Sequence, residues 1–316
     1  MTQDDLFGDL FDEGPPDHPP TSTDSPPASE EALPASSTDS PAPNTQKPAD
    51  AGDLVFDIET GPVAGERLEE LFAGQFDETK VKGFDLIGTE FDPSAVKLGN
   101  LKDQAKIDAK IDAKRKEHEK AIAEATIAVA QAREDAWGSF CERAPLSPIT
   151  GRVLAIGYGR GEMPLDGWPQ IDVVSENSSE AAVLASFWAM FDGQIARGAK
   201  LIGHNIYGFD LPFLVRRSWL LGVPVPPEAC NLSGGRWQWS RTFVDTMTAW
   251  GCGVYGERIS LDRAAEFFGV TRKNGDGARF HVLFHGTPDE RGQAIDYLAN
   301  DLVMTWEVAE KVGVAR

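Results

Sequence analysis

Asp53-Leu54-Val55-Phe56-Asp57-Ile58-Glu59 is the stretch from which the rest of the chain can be read. It is short, apolar and rich in β-formers, and it follows a long Pro- and Ser-rich segment, so it predicts a buried strand. Side chains alternate faces along a strand, which puts Asp57 and Glu59 on the same side. Two carboxylates side by side repel and raise each other's pKa, and a divalent cation relieves that repulsion. Taken alone, the pair equally fits a strand end dipping into solvent.

Toward the C-terminus, apolar runs at 152–159, 171–176 and 200–205 predict further strands, and 242–247 reads as a strand or as an extended entry to a helix. Helices are expected at 180–197, at 212–221 with a proline in the first turn, at 260–268 behind a Ser260 cap, and at 289–311. Strands that come first and then alternate with helices predict an α/β fold with a mixed central sheet flanked by helices. Residues 61–150 interrupt it where a simple sheet would have a hairpin turn. Within them, 101–137 is rich in Ala, Lys and Glu, lacks Gly and Pro, and predicts a long helical insertion after the first strand. Ile107, Ile111, Ile122 and Val129 form its thin apolar stripe. Lys102, Lys106, Lys110 and Lys114 recur every four residues and share a face. They read either as a basic arm for nucleic-acid phosphates or as a solvated face paired with Asp103, Asp108 and Asp112. Charge runs are usually solvated.

Two further segments carry chemistry. His204-Asn205-Ile206-Tyr207-Gly208-Phe209-Asp210 follows a strand and precedes a helix, so Asp210 sits near a helix N-terminus, where the dipole favours an anion. Asn205 is a candidate to fix the turn by bonding backbone groups. Tyr297 and Asp301 are four residues apart on a helix, so a phenol and a carboxylate point at one spot. An ordinary helix cap and a surface Tyr–Asp pair are the bland alternatives.

Together and in this order, DIET at 57–60, HNIYGFD at 204–210 and YLAND at 297–301 resemble the three exonuclease motifs of the DEDD superfamily. The tyrosine marks its DEDDy branch. Asp245 in VDTM, ISLDRAAEFFGV from Ile259, and the stretch around AIDYLANDLVMTWEV resemble the predicted exonuclease domain related to family B DNA polymerases. The resemblance covers 53–60 and about 150–312. It implies a ribonuclease H-like fold and two magnesium or manganese ions. By that resemblance Asp57 bridges both ions, Glu59 and Asp301 complete the ion that activates water, Asp210 holds the second, and Tyr297 orients the attacking water. His204 is expected to pack, with a secondary role toward substrate, and Phe209 to lie in the core or under the terminal base. Asp245 is expected to cap a helix or support the metal site. The polymerase-like later motifs favour DNA over RNA as substrate. RNA trimming, or an inactive nucleic-acid-binding accessory, are the competing readings.

The chain has 316 residues, 41% of them hydrophobic, and a net charge of −20. Such an acidic body does not hold nucleic acid by bulk electrostatics and would need metals to grip phosphate. Residues 1–52 carry half of that charge and ten of the 21 prolines, which predicts a disordered acidic tail ahead of a domain spanning 53–316. Gln3-Asp4-Asp5-Leu6-Phe7 resembles peptides that dock on bacterial sliding clamps; a chance cluster in the tail is the alternative. Trp237 and Trp239, interleaved with Arg236 and Arg241, fit a loop that stacks on unpaired bases, or a hairpin burying one tryptophan. Three cysteines without CxxC spacing, no apolar run of about 18 residues and no apolar leader predict a soluble, cytoplasmic protein away from membranes.

Overall fold

The computed structural model describes residues 52–160, 169–230, 242–254, 256–275 and 277–315. The tail motif Gln3–Phe7 and the Arg236–Arg241 loop with Trp237 and Trp239 lie outside the described residues. The strands are β1 (Leu54–Pro62), β2 (Gly151–Gly159), β3 (Gln170–Val173), β4 (Leu201–Gly203) and β5 (Phe243–Asp245). The helices are α1 (Gly65–Ala73), α2 (Gln104–Arg143), α3 (Glu180–Ala196), α4 (Asp210–Leu221), α5 (Pro227–Cys230), α6 (Thr246–Trp250), α7 (Leu261–Phe268), α8 (Phe280–Phe284) and α9 (Pro288–Lys311). The strand order is β3-β2-β1-β4-β5. β1 runs antiparallel to β2 and parallel to β4, so the sheet is mixed, with β1 at its centre.

Both faces of β1 are covered, and alternation sorts its residues between them. Phe56 and Ile58 join the larger core with α3 and α4, built on Phe187, Phe191, Leu214 and Phe243. Val55 faces the other way, onto Leu302 and Trp306 of α9. Asp57 and Glu59 share Val55's side, so a strand buried on both faces aims two carboxylates at α9. The residue opposite Asp57 in the register is Gly157. A Cβ there would lie 2.6 Å from Leu302 and 3.1 Å from Leu298. The missing side chain therefore lets α9 lie against the sheet beside Asp57.

The stretch between β1 and β2 is helical, as expected, and α2 is 40 residues long, about 60 Å at 1.5 Å per residue. Asp103 caps it by accepting from the N–H groups of Ala105 and Lys106. It runs on past Trp137 through Gly138 because Trp137 and Phe140 pack with Phe72 of α1, at ring separations of 5.1 and 5.4 Å. Only Ala125 and Val129 of α2 are buried, so the insertion holds itself together largely by this aromatic contact and by polar pairs such as Arg133–Glu78. Among the described residues no helix is long and apolar enough to cross a membrane.

Candidate active site

The sheet and α9 bring three acidic side chains to one point. Asp57 and Glu59 from β1 and Asp301 from α9 each offer a carboxylate oxygen, and these atoms all lie within 4.8 Å of one another. Asp210 enters from the first turn of α4. Its Oδ1 accepts the N–H of Ile58, between the two β1 carboxylates, at 3.3 Å, and its carboxyl meets that of Asp57 closely enough to share a proton. Tyr297, one turn before Asp301, faces the same cluster.

Burial dominates the electrostatics. It pushes Asp57 well above the usual carboxylate range, and the charges of Asp210, Glu59 and Asp301 add to that. Glu59 is raised by burial and then by Asp301, against the opposing pull of Lys273. Asp210 is lifted to about 7, chiefly by burial. Asp301 is raised by burial and partly held down by Lys273. Burial, followed by Asp301 and Glu59, pushes the Tyr297 phenol far up, so it keeps its proton.

This donor set fits a hard divalent cation. The groups are carboxylates, mutually repulsive and desolvated, and oxygen donors suit Mg²⁺ or Mn²⁺. Oδ1 of Asp301 is buried and accepts no hydrogen bond among the described residues. A buried acceptor without a partner costs free energy that a cation at this position would recover.

The loop that delivers Asp210 is held from β5. Asp245 is 4% exposed. Its Oδ1 accepts the N–H groups of Asn205 at 3.0 Å, Met247 at 2.9 Å and Thr248 at 3.3 Å, while Oδ2 accepts that of Tyr207 at 3.1 Å. It thus caps α6 and clamps the loop together. Asn205 sits in the left-handed region at φ 61, which asparagine tolerates. The expected role of its side chain in fixing the turn falls instead to the Asp245 carboxylate and to the Asn205 carbonyl, which accepts from Gly208 and Phe209.

His204 is a strut. Nε2 donates to the Ile259 carbonyl at 2.9 Å, leaving Nδ1 to accept from the Thr246 hydroxyl at 2.8 Å. Burial lowers its pKa, so the ring is neutral. Both nitrogens are used inside the protein, which favours the packing role over contact with substrate. Phe209 is partly buried, its ring tilted against that of Phe213 at 5.5 Å, at the edge of the larger core.

The lysines of α2 are not brought to this cluster. Lys106 lies 4.0 Å from Asp103, Lys114 lies 2.6 Å from Glu117, and Lys110 donates to the Lys97 carbonyl at 2.7 Å. Asp108 accepts from Gln104 rather than from a lysine. This is the solvated face, with partners partly different from those the spacing suggested. One residue at the site escaped the sequence reading. The Lys273 ammonium lies 3.7 Å from Oδ2 of Asp301 and 4.9 Å above the Tyr297 ring. A lone lysine in a Gly-rich loop carries no periodic or motif signal.

No protein-family profile matches the sequence, and no curated protein matches it either. Among solved structures, the chain is similar to the family B DNA polymerase from the hyperthermophilic archaeon Pyrobaculum calidifontis, at 23% identity and a TM-score of 0.42. The match covers 54% of this chain and 23% of the polymerase, so the chain spans less than a quarter of that protein's length.

Proposed function

We propose that this protein is a metal-dependent 3′–5′ exonuclease of ribonuclease H-like architecture, acting on single-stranded or frayed ends, with DNA the favoured substrate. The observation that carries the reading is the meeting of Asp57, Glu59 and Asp301 within 4.8 Å, with Asp210 joined to Asp57 and Tyr297 alongside. Residues 57 and 301 are 244 positions apart in sequence, yet the fold buries their charges against each other. Such an arrangement costs stability unless a cation is bound there, which points to function.

In this reading Asp57, Glu59 and Asp301 would hold a divalent ion, and Asp210 beside Asp57 would hold a second. Bound ions would supply a nucleophilic water and neutralise charge developing on the phosphate oxygens. The chain's own part is positioning. β1 fixes Asp57 and Glu59, and the Asp245 clamp fixes Asp210. Tyr297, kept protonated, donates a hydrogen bond that orients the attacking water. The apolar walls of β1 and α9 exclude bulk solvent, which strengthens every charge interaction inside.

The test uses oligonucleotides of DNA and of RNA, labelled at the 5′ end and blocked in turn at 3′ and 5′, incubated with Mg²⁺ or Mn²⁺. Stepwise shortening is expected only from a free 3′ end, and Asp57→Ala and Asp301→Ala should abolish it. Full activity in Asp57→Ala would overturn the assignment. A wild-type chain that binds the strand with metal present but never shortens it would establish the accessory reading instead.

A further inference from the structure

A nuclease with a net charge of −20 still has to hold a polyanion, and Lys106, Lys110, Lys114 and Lys120 of α2 have partners within the insertion. Among the described residues, a group of arginines without ion pairs lies beside the site. β1 continues from Glu59 to Gly61, about 7 Å further along the strand. Gly61 faces α8 so closely that a Cβ on it would meet His281 Cβ at 3.0 Å, and its register partner on β2 is Arg152. The Arg152 guanidinium reaches His285 at 3.4 Å. Arg291, in the second turn of α9, lies over the Phe284 ring at 4.5 Å and donates to the Val174 carbonyl. Arg279 lines a cavity of about 490 Å³ whose wall includes Tyr297.

Among the described residues no carboxylate forms an ion pair with Arg152, Arg279 or Arg291. Asp296 shares the cavity lining with Arg279 without an ion pair to it, and Glu290, which feels the Arg279 charge, is tied into the capping box of α9 by Thr287. The positive field shows in His285, whose pKa is lowered first by burial and then by Arg152, His281 and Arg291. Unpaired arginines alongside a carboxylate site in an acidic protein have one complementary partner on chemical grounds, a chain of phosphates.

We infer that Arg152 and Arg291, with Arg279 at the cavity beside Tyr297, form the surface that contacts the phosphate backbone of the single strand whose 3′ end enters the carboxylate site. The inference rests on the exonuclease reading. It predicts backbone contacts without base readout, and therefore binding that depends on salt and not on sequence.

The test is fluorescence anisotropy of a fluorescein-labelled oligo(dT) strand, and of its RNA counterpart, bound to the full chain in EDTA across a salt series. Each lost phosphate contact lowers the slope of log affinity against log salt by about 0.7 for a single strand. Arg152→Gln/Arg291→Gln should therefore reduce the slope by about 1.4, so that its affinity deficit changes about 25-fold over a tenfold change in salt. Arg152→Lys/Arg291→Lys, which keeps the charge, should retain most of the slope and so separates charge from folding. A slope unchanged in the glutamine variant, or lost instead when Lys102, Lys106, Lys110 and Lys114 are replaced together, overturns this surface and leaves the nuclease assignment standing. A wild-type chain that binds neither strand at any salt in EDTA also overturns this surface, while the nuclease assignment is judged by shortening in Mg²⁺ or Mn²⁺.

Discussion

Lys273 and Asp301 form an ion pair inside the carboxylate cluster, Nζ to Oδ2 at 3.7 Å, with the same ammonium 4.9 Å over the ring of Tyr297. Among the described residues it is the cation that lowers the pKa of both Glu59 and Asp301. Lys273→Met should therefore destabilise the metal-free protein. The lysine side chain is 32% exposed, so solvent screening keeps the cost to about 1–2 kcal/mol, or roughly 2–4 °C in a chain of this size. Saturating Mn²⁺ should close that gap by replacing the missing charge. Thermal melts in EDTA and in Mn²⁺ check this, and equal melting temperatures in EDTA would refute it.

The raised carboxyl pKa values predict a pH dependence of the opposite sense to ordinary acid denaturation. Asp210 titrates near 3.8 when unperturbed and at about 7 in the folded chain; Asp57 and Glu59 are also raised. A group whose folded pKa is raised contributes stability that is fully present below its unfolded pKa and lost as pH rises through the folded one. In EDTA the protein should therefore melt higher near pH 5.5 than near pH 8. Saturating Mn²⁺ should remove or invert the difference, because bound metal requires the ionised carboxylates. A melting temperature in EDTA that climbs steadily from pH 5.5 to 8 contradicts the cluster electrostatics.

The parts of this architecture visible in the sequence are those whose signal is local. β1 announces itself through a short, apolar, β-prone stretch, and α9 is expected at 289–311, one residue from its start at Pro288. The shared face of Asp57 and Glu59 follows from strand alternation alone, and that of Tyr297 and Asp301 from helical spacing. What was hidden depends on contacts between distant segments. The end of α2 falls at Arg143, beyond Trp137, because Phe140 finds Phe72 across the insertion. A glycine costs a helix about 1 kcal/mol, and packing overrides it. The four backbone bonds of Asp245 join residues up to forty apart, so a sequence reading that weighs a helix cap against support of the metal site does not see the clamp on the Asn205–Tyr207 loop. Lys273 gains meaning only once α9 lies beside its loop.

Asp245 offers a prediction that separates its two duties. Asp245→Asn keeps Oδ1, which accepts from Asn205, Met247 and Thr248, but sets an NH₂ against the N–H of Tyr207. One buried donor left unpaired costs about 1–3 kcal/mol. The strain falls on the loop that delivers Asp210, so Mn²⁺ affinity should weaken several-fold and turnover should fall more than the KM rises. Chemical denaturation together with Mn²⁺ titration reads both effects. A variant that loses stability but keeps wild-type Mn²⁺ affinity and turnover would show that Asp245 is only a cap.

The strongest stability prediction concerns a pair away from the site. Arg217 on α4 and Glu180 at the start of α3 are joined at 2.6 and 2.8 Å, with side chains 6% and 11% exposed. Arg217 also donates to the Pro148 carbonyl, where the insertion returns to the sheet, and Glu180 accepts the N–H of Val153 on β2. The pair therefore ties the return of the insertion to the two helices over the larger core. Arg217→Met alone leaves a buried carboxylate without its cation and should cost about 3–5 kcal/mol. Adding Glu180→Leu removes that stranded charge and should recover part of the loss, although the Val153 N–H and the Pro148 carbonyl stay unpaired. Guanidinium unfolding of the two single variants and the double variant forms a double-mutant cycle. Additive losses, with no recovery in the double variant, would mean that the two charges do not depend on each other.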